Sequence, residues 1–121
     1  MRHFIAIAAL AVSTPLAAQA PAPISPEAER ELECAMWAAV VSGSVDDPDL
    51  KSAFGFALSY WVGRFEGRTG KNFDDFATVE FVTSLEPKVE ALRQRCVPEM
   101  EAMGKRMQDW GQRMQDTPAP Q

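Results

Sequence analysis

Between Ser25 and Asp116 the apolar positions recur at steps of three and four residues, the spacing that puts one face of an α-helix against a core. Ser25-Pro26-Glu27 reads as an N-cap, a proline at the first helical position and an acid in the first turn, so a helix starts there. Ala28, Leu32, Ala35 or Met36, and Ala39 form its inner face, and Gly43 predicts its left-handed stop. Glu27, Glu29, Glu31 and Glu33 crowd its first turns, favoured by the helix dipole, and are expected mostly on its wet side. Asp47-Pro48 repeats the start signal and Gly67 the stop. Between them Leu50, Phe54, Leu58, Trp61 and Phe65 make one stripe, with Phe56, Ala57 and Tyr60 beside it. A helix apolar on two sides is expected at the centre of the domain.

A polar loop follows, and a shorter helix is read from Asp74 to Thr83, although β-branched Val79, Val82 and Thr83 also suit a strand. Ser84 is read as the cap of the next helix, with Pro87 in its first turn. Leu85, Val89, Leu92 and Cys96 keep heptad spacing, and Pro98, which lacks a backbone donor, predicts a kink or brief break near Cys96. Beyond it Met100, Met103, Met107, Trp110 and Met114 step by 3, 4, 3 and 4, an uninterrupted seam. Residues 104–109 repeat in 111–116 with a period of seven. The glycines of that repeat either admit a close neighbour or loosen a terminal helix. The fold class expected is all-α, a small four- or five-helix bundle over residues 26–116, with disordered segments at 21–25 and 117–121.

Residues 1–20 change this picture by assigning a compartment. Met1-Arg2-His3 is a short basic region, Phe4 to Val12 is apolar, and Ala18-Gln19-Ala20 ends in a small-residue cleavage site, the pattern of a secretory signal. The apolar run is too short to span a bilayer, as is Phe54 to Val62, so a soluble periplasmic or secreted product with no membrane span is expected after cleavage. Cleavage removes the only histidine. It leaves 11 Lys and Arg against 17 Asp and Glu, a formal charge of −6, which argues against nucleic acid as a partner. In an oxidising compartment the two cysteines, Cys34 and Cys96, are expected to form an interhelical disulfide. The Cys-x-x-Cys spacing of a redox pair is missing.

Four features bear on chemistry. Soft sulfur ligands select soft metals, so Met100, Met103 and Met107 on one helical face give an alternative reading as a Cu(I) site. Core packing against aromatic rings is the simpler account of the same residues. Arg64 and Arg68, four apart beside Tyr60, could clamp a carboxylate or phosphate bidentately. Their simpler role is to satisfy the end of their helix, aided by Glu66 or another acid. Tyr60, Arg64, Arg68 and Trp110 are the candidate ligand or partner surface. Asp46, Asp47 and Asp49 lack the glycine and distal glutamate of a calcium loop, and helix capping accounts for them. With no mature histidine, no free thiol and no nucleophile elbow or phosphate loop, the expectation is a protein that is not an enzyme and uses no cofactor.

The combination of Cys34, the aromatic and Gly-Arg segment Tyr60 to Arg68, Cys96, and a tail helix bearing Met and Gly resembles small secreted two-cysteine helical proteins of alphaproteobacteria. More remotely, the architecture is similar to HdeA-type periplasmic acid-stress chaperones, which are small, helical and held by one disulfide. That resemblance implies a stress-protective protein with client proteins as partners; a second copy of itself is the other partner considered. Protonating 17 carboxylates near pH 2 would leave about 11 positive charges, whose repulsion could open the helices. A copper-binding protein and a module self-associating through its last helix are the alternatives.

Overall fold

In the computed structural model, which describes residues 23–117, the chain is all-α, with no strand among the described residues. The export signal read at 1–20 lies outside that range, as do 21–22 and 118–121 of the two terminal segments. Helix α1 spans Pro26–Ser44 and begins where its cap signal predicts: the Ser25 hydroxyl accepts from the Ala28 N–H at 3.2 Å. Ile24, expected in a disordered lead, packs against the core ahead of that cap. The end of α1 differs from expectation. No left-handed glycine closes it; the chain leaves through extended Val45, whose N–H donates to Val41 O.

Helix α2 spans Pro48–Thr69, capped by the Asp47 carboxylate, which accepts from the N–H groups of Asp49 and Leu50. Its stop is Gly70, at φ 63°, and not Gly67. The reason is tertiary: carrying the helix past Gly67 places Arg68 on the same face as Arg64, and both meet a carboxylate of α1.

The helix expected from Asp74 begins later. Phe73–Asp75 is a 3-10 turn, which sets the Phe73 and Phe76 rings edge-on to Phe65 at 6.4 and 5.2 Å. Thr78 then caps α3, Val79–Leu85, by accepting from Phe81 N–H. The segment that also suited a strand is therefore helical. Ser84 caps nothing; its hydroxyl donates to Phe81 O. A second 3-10 turn, Glu86–Lys88, holds Pro87 and leads into α4, Val89–Asp116. This helix is unbroken across Pro98, which sits inside it. Pro98 and Gln94 both lie on its exposed side, where a carbonyl lacking its donor can be met by water.

The central helix is α1, not α2. Glu31 to Ala38 are eight consecutive buried residues, and α1 packs against α2, α3 and α4. Small residues permit this: Ala28, Ala35 and Ala38 are fully buried and let neighbours approach from several sides. Helix α2 buries one line only, Ala57, Trp61 and Phe65. Leu50 and Phe56, from its two expected stripes, stay about half exposed. Leu85, Leu92 and Cys96 complete the core, and the disulfide Cys34–Cys96 ties α1 to α4 with Cα atoms 5.6 Å apart.

Candidate functional site

Two glutamates in the second turn of α1 carry the buried ends of its ion pairs to the neighbouring elements. Glu31 and Glu33 follow the first turn, where the dipole no longer rewards an acid, and both are buried, at 5% and 7% exposure. Their expected wet-side placement is thus wrong for these two. Residues two apart on a helix point about 200° apart around its axis, so the carboxylates face opposite flanks and meet different partners.

On one flank Glu31 receives both arginines of α2. Arg64 Nε donates to Oε1 at 2.9 Å, Arg68 Nε to Oε2 at 2.9 Å, and Arg68 Nη2 to Oε1 at 2.8 Å. Arg64 Nη1 also donates to the Tyr60 hydroxyl at 2.8 Å. The paired arginines thus form a carboxylate clamp, closed on the chain's own Glu31. Glu66, the acid considered as their helper, accepts instead from Phe73 N–H at 2.9 Å and anchors the loop. On the other flank Glu33 accepts from Lys88 Nζ at 3.2 Å and from Arg95 Nη2. Glu33 and Arg95 each adjoin a bridged cysteine, so the ion pair and the disulfide cross the same α1–α4 contact.

These partners keep both carboxyls charged. The Arg68 hydrogen bonds are the strongest influence on Glu31 and, with Arg64, hold it below the ordinary value of 4.5 against the opposing effect of burial. For Glu33 burial is the largest single influence and pushes upward. Arg95 and Lys88 together outweigh it, so Glu33 also titrates below 4.5.

The Glu31 cluster forms one wall of a groove of about 390 Å³ between α1, α2 and α4. Tyr60, Arg64 and Arg68, three of the four candidate surface residues, line it together. Arg30 and Arg106 join them, and Arg30 reaches Glu99 of α4 at 3.3 Å. Trp110, the fourth candidate, stands farther along α4 in a separate shallow hollow with Arg113, Met114 and Thr117. Arg106 links the two places, because its guanidinium lies 5.6 Å over the Trp110 ring.

The methionine seam divides at the groove. Met100 packs half-buried against the core, Met103 is buried on the groove's floor, and Met107, Trp110 and Met114 are exposed, Met114 at 74%. A Cβ built on Gly104 or Gly111 meets nothing within 4 Å, so no neighbour approaches closely there. Among the described residues no group of three His, Cys, Asp or Glu side chains is placed to hold a metal ion, and no helix is long and apolar enough to cross a membrane. No protein-family model matches the chain, and comparison with curated proteins and with solved structures finds no match either. Its own structure is that of a disulfide-pinned helical domain with two carboxylate–cation clusters whose carboxylates are buried.

Glu31, Glu33, Arg95, Lys88 and Arg106 do not figure among the candidate site residues read from the sequence. A signal for the first two was present: acids at 31 and 33 lie too far along α1 for the dipole, between apolar neighbours Leu32 and Cys34. Arg95 carried a weaker signal, as a cation beside the second cysteine.

Proposed function

We propose that this protein is a non-enzymatic, exported, stress-protective protein of the chaperone-like kind, which acid loosens so that its apolar surfaces meet unfolded clients. The observation that carries this reading is the pair of buried carboxylates, Glu31 and Glu33, each tying α1 to a different helix. A carboxylate whose pKa is lowered by folding contributes stability above its unfolded value of about 4.5. That contribution is lost as pH falls through the lowered folded value.

The groups facing each carboxyl set the direction of the response. Arg64 and Arg68 from α2 hold Glu31, and Tyr60 from α2, Arg106 and Glu99 from α4, and Glu27 and Arg30 from α1 line the groove beside it. Around Glu33 stand Lys88 and Arg95. Once the acids are neutral the cations remain and repel one another, while the disulfide limits how far α1 and α4 separate. Met107, Trp110 and Met114 already offer an apolar strip in the closed form. Opening would add the Trp61 and Phe65 line.

The test is suppression of client aggregation by the oxidised protein, with an acid-labile enzyme as client, at pH 2–3 and at pH 7. Protection confined to the acid arm is the expected result; aggregation unchanged by the protein at pH 2–3 rejects the reading.

A further inference from the structure

The groove between α1, α2 and α4 gathers four of the seven arginines among the described residues, in a chain of formal charge −5. Arg30, Arg64, Arg68 and Arg106 face Glu27, Glu31 and Glu99 across it, which leaves the groove with one net positive charge. Not all of its donors are used. Arg64 spends Nε on Glu31 and Nη1 on Tyr60; Arg68 spends Nε and Nη2 on Glu31. A guanidinium has five N–H groups in a planar fork, so each keeps donors on its outer edge. Arg106 makes no ion pair among the described residues and rests on Trp110. Since the Tyr60 oxygen accepts from Arg64, its own proton is free to donate. Buried Met103 and exposed Ala102 add apolar surface to the groove's lining.

We infer that this groove binds a small organic monocarboxylate with an apolar body. Arg106 and the outer edges of Arg64 and Arg68 take the carboxylate, and Met103 and the Tyr60 ring take the body. The planar fork of arginine suits a carboxylate, as Glu31 already demonstrates in the same place. A single net positive charge suits one negative charge. The second charge of a phosphate dianion would be set against Glu27 and Glu99. The volume of about 390 Å³ falls in the range of roughly 300–1,000 Å³ usual for small-molecule sites.

The test uses the oxidised full-length protein at pH 7, so its outcome is independent of protection in acid. Benzoate is titrated by calorimetry beside benzamide, which has the same body without the charge, and inorganic phosphate. Benzoate is expected to bind saturably at one site, at least about tenfold tighter than either control. Arg106→Gln is expected to weaken it by about tenfold, the scale of one lost charge-assisted contact. Arg93→Gln, which removes an exposed pair with Glu90 away from the groove, leaves it unchanged. Benzoate binding no tighter than benzamide or phosphate, or weakened equally by the two variants, overturns the proposal.

Discussion

Glu31 shows how one side chain can hold an element and yet be conditional on pH. Its carboxylate takes three hydrogen bonds from two arginines that are themselves about two-fifths exposed. Breaking a fully buried pair costs about 3–5 kcal/mol. Solvent screening of these arginines reduces that, so Glu31→Gln should cost about 1–2 kcal/mol at pH 7. The sign of the pH dependence follows from the lowered carboxyl pKa. Above 4.5 the wild type holds the full advantage; as pH falls through the lowered value Glu31 is protonated and the variant and wild type converge. Urea denaturation at pH 7 and near pH 2.5 checks this, and a gap that persists undiminished in acid would contradict it.

Among elements, the caps were the most readable features. Ser25-Pro26 and Asp47-Pro48 start α1 and α2 as read, because an N-cap is satisfied locally by a side chain three residues or fewer away. Stops were less readable. Gly43 and Gly67 are compatible with a helix end but do not compel one, and the ion pair of Arg68 with Glu31 carries α2 on to Gly70. For the same reason the central helix was misjudged: bulk marked α2, whereas burial on several sides requires the small residues of α1. The candidate surface was partly legible, since Arg64 and Arg68 share a face by their spacing alone. Their partner could not be read, because it lies 33 and 37 residues away. The disulfide was legible from two cysteines and the export signal read at 1–20, and its weight can be measured. Closing a span of 62 residues stabilises by about 4 kcal/mol in the chain-entropy model. Replacing Cys34 and Cys96 together with Ser should lower stability by about that amount in equilibrium denaturation at pH 7, and a loss below 1 kcal/mol would mean that the α1–α4 contact stands without it.

Across the whole molecule, the two clusters and the disulfide cross-link α1 in unequal ways: on the proposed function, acid releases the two that depend on a charged carboxylate and leaves the covalent one. The apolar strip on distal α4, Met107, Trp110 and Met114, lies outside the core in the closed form. Near-ultraviolet circular dichroism with ANS fluorescence from pH 7 to pH 2 reads out whether acid adds to that strip. Trp37 and Trp61 are buried beside the helices that Glu31 and Glu33 hold, so their asymmetric environment reports the clusters. Loss of the near-ultraviolet signal and a rise in ANS binding are expected below pH 4.5, with far-ultraviolet helicity largely kept. The double variant Glu31→Gln, Glu33→Gln is expected to have a weakened near-ultraviolet signal already at pH 7. A near-ultraviolet spectrum unchanged from pH 7 to pH 2, with no ANS binding, would contradict opening by acid.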